Sequence, residues 1–482
     1  MRHQAKALRT IARVRFLRVC FLCVLVLILL AIGSDSAKSQ DSPAALSGFS
    51  SSEIFDITDG RPLKMQDPAL SRLLFRVMQT SRTSLRKYGQ TDAGVGVKEI
   101  RSSPRDYRCH VISIAGLATD CLTIQNSLAE EGEPNERIVL VRVETESGEE
   151  CVVVLPASRA DFANRWLASE RIHEPVKFQG FFLAVYDFHA DAEADAALQV
   201  LNLKQAECPV LVANQLEWYP DGNSQVATTM SEQLLAKHRV DIGEKIGRMN
   251  GKMTKQDSLP FYQLLAAADS IEAVGFPTAE QVKFTDCLQR PRQCFRKPVQ
   301  VRGLVRQVTE VKVSDPQINA EFGLKRYYQL QMFVPLKNQQ IVVQAPRSDA
   351  NGSADENDGK IRHENRFPVT VCVAKLPAPI EEVEGKLAAV EGFFFKLWNY
   401  ESELSRSKSA SLNQISPLIV GQQPKLIADS SQDLNWWIGL AALLGITGIA
   451  MLAWFYRPTE QRSAIRSDLP DSIEMPGDDQ VS

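Results

Sequence analysis

Two stretches decide how this chain is read: Val176-Lys-Phe-Gln-Gly180-Phe-Phe182 and Ala389-Val-Glu-Gly392-Phe-Phe394. Each places a glycine before paired phenylalanines inside a β-branched run, the pattern of a strand that must bend sharply. Other pairs follow in the same order on either side. Ile112-Ser-Ile114-Ala-Gly116-Leu117 resembles Val299-Gln-Val301-Arg-Gly303-Leu304, and Ile138–Val143 resembles Tyr328–Phe333. Cys151–Pro156 aligns with Ile341–Pro346, and Cys208–Ala213 with Ser416–Gly421. Matches that keep their order indicate an internal duplication.

A helix leads each copy. Asp67 and Pro68 form an N-cap and first-turn proline ahead of an apolar stripe at Leu70, Leu73, Leu74 and Val77. Gln256-Asp257-Ser258-Leu259-Pro260 opens the second, and Val226–Lys245 also reads as helical. The first copy then predicts strands at 107–117, 137–144, 150–155, 175–187 and 208–213, with a helix at 159–170 between the third and fourth. A turn falls at Ser147-Gly148. Five strands with a helix in that place is the order of an OB-fold, a small Greek-key barrel. The second copy adds a polar stretch, Arg347–Asn365, an extra strand at Phe367–Lys375, and a short helix at Pro379–Lys386. The expected class is mainly β with helices, α+β, as two duplicated OB-like β-barrel domains, each preceded by a helix, plus a C-terminal transmembrane helix.

That last helix is Trp436–Tyr456, which carries no charged residue. At 1.5 Å per residue, about 20 residues cross a hydrocarbon core of roughly 30 Å. Trp436 and Trp437 at one end, and Trp454 and Tyr456 at the other, are suited to the two headgroup boundaries. Arg457, Arg462 and Arg466 follow the span, which places the tail in the cytoplasm and the long preceding region outside. The N-terminus agrees. Six bases precede the apolar run Val19–Ile32, the plan of a secretory signal or uncleaved signal anchor. The expected organisation is 1–33 signal, 34–52 flexible stalk, 53–222 first domain, 223–428 second domain, 436–456 span and 457–482 tail, in a single-pass cell-membrane protein.

The chain has a net charge of −3, is 44% hydrophobic and 23% charged, and is therefore ordinary globular protein. Its basic N-terminus is offset by an acidic middle, which argues against nucleic acid as a partner. Seven cysteines lie in the exported part. Cys287 and Cys294, close in sequence around a proline turn, are the candidate disulfide.

Catalytic motifs are missing: no G-x-S-x-G, no P-loop, no G-x-G-x-x-G and no H-x-x-x-H. Asp191, Glu193 and Asp195 alternate with alanine, and Asp349–Gly359 is acidic, but neither matches a calcium loop. No catalytic residue, metal ligand or cofactor is therefore assigned. Aromatic residues on the fourth strands are mostly expected in the barrel cores. Any that face outward make Phe178, Phe182, Tyr186, Phe393, Phe395 and Trp398 the candidate binding surface. The leading expectation is a non-enzymatic scaffold for an envelope protein partner, held at the lipid bilayer, with a homodimer as a further candidate. The alternatives are an envelope hydrolase or cation-dependent enzyme, and a glycan- or nucleic-acid-binding membrane protein.

Overall fold

The computed structural model describes residues 47–455, apart from 81, 90–94, 127–128, 130–132, 134–135, 190–195, 245, 273–274, 338, 345–359, 401–413 and 428–429. The chain divides after Ile427 into two compact units. Unit one contains both copies of the duplication. Its first module comprises α1 (Pro68–Gln79), β1 (Val111–Gln125), β2 (Arg137–Glu144), β3 (Glu150–Pro156), α2 (Phe162–Leu167), β4 (Glu174–Asp187) and β5 (Glu207–Trp218). The second comprises α3 (Lys255–Ser270), β6 (Pro298–Lys312), β7 (Arg326–Pro335), β8 (Arg366–Val373), β9 (Leu387–Tyr400) and β10 (Gln414–Gly421).

The pairing order is the same in both. The first module runs β4-β1-β2-β3-β5, and β5 returns to pair with β4. The second runs β9-β6-β7-β8-β10, and β10 returns to β9. In each, only the third and fifth strands are parallel to one another, β3 with β5 and β8 with β10. The mixed α+β character expected from the sequence is observed, as two sheets.

Glycine makes the return possible. A Cβ at Gly116 would lie 2.4 Å from the Glu144 carbonyl oxygen, and one at Gly303 would lie 2.5 Å from that of Phe333. At Gly180 and Gly392 the obstructing oxygens are those of Val212 and Val420, at 2.9 and 2.5 Å. A side chain at any of the four would force neighbouring strands apart. The ladder then slips just beyond each glycine: between Ala118 and Asp120 in β1 and between Val305 and Gln307 in β6. The same happens between Phe182 and Ala184 in β4 and between Phe394 and Lys396 in β9. Bulges of this kind bend and twist a strand.

The duplication extends further than the strands. Helices Val97–Ser102 and Pro104–Tyr107 precede β1, as Phe284–Gln289 and Pro291–Cys294 precede β6. Each pair ends on a residue in the left-handed region, Cys109 at φ 61° and Arg296 at φ 60°. Cys109 N donates to Phe182 O at 2.8 Å, and Arg296 N donates to Phe394 O at 2.8 Å.

Two of the expected matches are corrected. Leu117 pairs with Glu144 and Leu304 with Phe333, so β2 and β7 correspond one residue away from the alignment read in the sequence. The third strand of the second module is Arg366–Val373, between β7 and β10. Ile341–Gln344 instead forms a separate hairpin with Lys360–His363. The segment Val226–Lys245 is helical only over Met230–Lys237.

Each module has an inner core and an outer one. Inside the first lie Val141, Val153, Phe178, Phe182 and Leu211; outside, α1 presses Leu70, Leu73, Leu74 and Val77 onto Leu140, Val152, Phe181 and Val210. In the second, Val301, Leu330, Val371 and Phe394 face inward, while α3 packs Phe261, Leu264, Leu265 and Ala268 against Cys372, Phe393, Phe395 and Val420. The modules touch through Arg86, which bonds Glu217 on β5 at 2.9 Å and Glu321, in the short helix Pro316–Phe322 after β6, at 2.5 Å.

The lead helices are fastened differently. Asp67 caps α1 through Ala69 N at 2.9 Å and accepts from the buried Tyr186 hydroxyl at 2.9 Å. Asp257, in the first turn of α3, accepts from Thr254 N at 2.9 Å and from Lys396 Nζ at 2.9 Å, both charges fully buried. Burial pushes the Asp257 pKa up, but bonds from Lys396 and Thr254 outweigh it and leave the carboxyl below its ordinary value.

Unit two contains α4 (Ser430–Phe455). Among the described residues, no helix is long and apolar enough to cross a membrane. Trp436 and Trp437 lie in α4, but their side chains, like Tyr456, are outside the described residues. Residues 1–46 and 457–482, which include the expected signal and tail, are outside them too.

Two predictions follow from this packing. Gly392→Ala should cost about 1–3 kcal/mol by overpacking, whereas Gly222→Ala, with nothing within 4 Å, should leave the urea midpoint unchanged. Lys396→Met should cost about 3–5 kcal/mol by stranding the Asp257 carboxylate, and adding Asp257→Asn should restore much of it. Because the folded pKa of Asp257 is depressed, its contribution is full at neutral pH and is lost as pH falls through the carboxylate range. Urea midpoints measured from neutral to acid pH should therefore fall more steeply for the wild type than for the double variant.

Candidate functional site

The aromatic residues singled out in the sequence are core, not surface. Phe178, Phe182, Tyr186, Phe393 and Phe395 are at most 1% exposed. Phe178 and Phe182 fill the inner core of the first module, Tyr186 lies under α1, and Phe393 and Phe395 lie under α3. Trp398 is half-buried. The physical reason is that helices cover the outside of β4 and β9, so both alternating faces of these strands need apolar residues.

Cys287 and Cys294 are free, buried thiols beside one another. Burial raises both pKa values, and the neighbouring thiol raises that of Cys287 further. Among the described residues no group of three His, Cys, Asp or Glu is placed to hold a metal. Asp191, Glu193, Asp195 and 349–359 lie outside the described residues.

What the duplication brings into view is a different face. Residues directly opposite one another in a ladder share a side of the sheet. On the outside of β6, β7 and β8 this gives three rows: Leu304–Phe333–Pro368, Gln307–Gln331–Thr370 and Thr309–Gln329–Cys372. Gln307 and Thr309 are exposed; Leu304, Gln329, Gln331 and Phe333 are half-buried. Arg302 and Arg306, both exposed, flank the rows on β6, and no ion pair to either is found among the described residues. Gln300, one step further, donates to Glu391 Oε1 at 3.3 Å. The bulge after Val305 is held open by Glu384, whose carboxylate accepts from Val308 N at 2.7 Å.

The corresponding face of the first module is partly covered by its own chain. Asp120 stands opposite Arg142, as Gln307 stands opposite Gln331, and Arg142 stands opposite Val152, as Gln331 does Thr370. Arg142 bonds Asp120 at 2.8 Å, Glu150 at 2.5 Å and the carbonyl of Asn202 at 2.7 Å. Glu150 is fully buried and accepts from Lys204 N at 2.8 Å. This hub pins the turn Ala196–Leu201 across the strands, while Leu122 and Ile124 pack against the outer core under α1. Burial raises the Asp120 pKa, with Arg142 opposing it.

So the two copies share a scaffold and differ on one surface. Amides carry both donors and acceptors, guanidinium groups carry donors and charge, and a half-exposed ring offers an apolar plane. Such a strip can hold an extended chain that presents hydrogen-bonding edges and anionic links. The sequence held this signal in Arg302-Gly-Leu-Val-Arg306-Gln307 and in Gln329-Leu-Gln331-Met-Phe333. Polar residues alternating along a strand, however, look the same on any solvated face.

No protein-family model matches the chain, and no curated protein matches it. Among solved structures, it is similar to the wild-type single-stranded DNA binding protein from Thermus aquaticus, at 10% identity and a TM-score of 0.14, over 66% of this chain and 93% of that one. A deletion mutant of the same protein matches at 10% identity and 0.14, over 66% and 94%. A replication protein A heterotrimer bound to single-stranded DNA matches at 8% identity and 0.16, over 72% of each chain. Likeness at this level leaves function to be argued from the chain's own surface. These neighbours are single-stranded DNA-binding proteins, in contrast to the expectation, drawn from net charge, that nucleic acid is no partner.

Proposed function

We propose that this chain is a binding protein built from two OB-like five-stranded barrels, and that the outer face of β6 and β7 in the second holds single-stranded nucleic acid. The observation that carries the reading is the contrast between the copies. The first lays the Arg142 hub and the turn it pins over this face, whereas the second leaves Gln307 and Thr309 exposed beside the half-buried Gln329 and Gln331, between Arg302, Arg306 and Phe333. Guanidinium groups neutralise phosphates, amides pair with base edges, and an aromatic ring stacks on a base of any identity. Net charge is a poor guide here, because a local strip of bases governs contact at a distance of about one Debye length, ~10 Å.

A second reading concerns where the protein works. We infer that the whole stretch Trp436–Tyr456, part of which lies outside the described residues, tethers the chain to a membrane as a single-pass anchor, with the modules on the outer side and the tail in the cytoplasm. Support comes from the described part of α4, where Leu443, Leu444, Ile446, Ile449 and Leu452 are 59–70% exposed and Trp454 is 74% exposed. The basic residues that follow, Arg457, Arg462 and Arg466, support the orientation. The scaffold role expected from the sequence gains no observation of its own.

Fluorescence anisotropy with a labelled oligothymidine strand tests the first reading. Binding should weaken with salt, and Arg302→Gln and Arg306→Gln should each reduce the logarithmic salt slope by about one. No binding by the wild type at low salt would overturn it. For the second, the full chain should stay with membranes through alkaline carbonate washing, and Leu444→Lys with Ile449→Lys should release it. Release of the unmodified chain by the same wash would sink the tether.

A further inference from the structure

Beside the entry to the second module lies a cleft of about 490 Å³, lined by Arg248, Met249, Asn250, Arg290, Pro291, Arg292 and Gln293. Three of its seven lining residues are arginines, and none is a carboxylate. All three arginines are exposed. No ion pair to any of them occurs among the described residues, although Asp286 lies one turn before Arg290 and lines a neighbouring cleft.

The walls are fixed. On one side Asn250 and Gly251 pair with Leu397 and Trp398 of β9, and Leu397 N donates to Met249 O at 2.8 Å. On the other, Arg290 joins the helices Phe284–Gln289 and Pro291–Cys294, and its N–H is held by Asp286 O at 2.9 Å. Gathering three guanidinium groups around one hollow, in a chain of net charge −3, costs mutual repulsion that a bound anion relieves.

The first module lacks the cluster. Ser103 takes the place of Arg290 between its two short helices, with nearly the same backbone angles, φ −138° and ψ 57° against −133° and 62°. The parallel bridge of Arg61 to Tyr186 matches that of Gly251 to Trp398, which sets Thr58 opposite Arg248 and Asp59 opposite Met249. There the Asp59 carboxylate is occupied, bonding the Arg108 guanidinium and accepting from Val185 N at 3.1 Å. Arg105 alone matches, in the place of Arg292, so the fold itself does not require Arg248 or Arg290.

The geometry points to a binding site for phosphoryl anions in this cleft, formed by Arg248, Arg290 and Arg292. Guanidinium groups bind phosphate through paired N–H bonds, and three of them suit a diphosphate or two successive phosphates of a nucleic-acid backbone. The site does not depend on the β6–β7 face, and either assignment can fail alone.

Isothermal titration of the full chain with inorganic pyrophosphate, and anisotropy with the oligothymidine strand, compare the wild type with Arg248→Gln/Arg290→Gln/Arg292→Gln. These side chains are exposed, so the variant should fold, which circular dichroism and an unchanged melting temperature would verify. Pyrophosphate binding that drops at least tenfold in the variant assigns the cleft to a free phosphate compound. If pyrophosphate fails to bind but the variant loses oligonucleotide affinity to a similar degree, the cleft holds backbone phosphates. If neither ligand distinguishes the variant from the wild type, the site is refuted. Because Arg302 and Arg306 stay intact in the variant, that outcome leaves the β6–β7 assignment untouched.

Discussion

Everything in unit one rests on how closely two strand backbones approach one another at four glycines. A ring of only five strands has to coil each strand tightly, and at Gly116, Gly180, Gly303 and Gly392 a neighbouring carbonyl oxygen sits where a Cβ would be. The bulge that follows each glycine redirects the side chains beyond it. That redirection decides which residues enter the ring and which meet the lead helix. The helix then covers the outside of the third, fourth and fifth strands. What remains uncovered in the second module, the outside of its first two strands, is a by-product of these constraints, whatever it binds.

This explains what the sequence reveals and what it hides. Glycine before Phe-Phe is legible because no other residue fits, so the repeat, the strand order and the lead helices can all be read. The Asp67–Pro68 start of α1 is seen as expected, since capping chemistry is local. The second-strand match slips by one because Val-rich and Gln-rich strands offer no fixed point, and a one-residue slip reverses every side chain. The third strand is misplaced because Ile341–Gln344 is also β-branched, and only the ladder with β10 identifies Arg366–Val373 as its true counterpart. The entry motif, Ser103-Pro104-Arg105 against Arg290-Pro291-Arg292, leaves only a Pro-Arg pair in common. Strand-four aromatics mislead for a different reason. A strand buried on both faces and a strand with an aromatic binding surface have the same composition.

The two copies also solve one problem with different chemistry. Both must hold the first turn of a helix against the fourth strand. The first uses the Tyr186 phenol and the half-exposed Arg61 guanidinium on the Asp67 carboxylate, while the second uses the fully buried Lys396 ammonium on Asp257. A buried ion pair adds little net stability over apolar packing, but it penalises any arrangement that separates the charges. Polar burial in the first module is spent elsewhere, around Arg142, where it secures a turn over the strands.

Gene duplication ordinarily doubles valency, and two linked sites on one polymer would bind with avidity set by their spacing. The Arg142 hub removes that option. With one copy capped by its own chain and held to the other through Arg86, the pair would, on the reading proposed above, present one polymer-binding strip and not two. On that reading the covered copy is a buttress, and a long strand carrying many such chains would be decorated by independent, monovalent units.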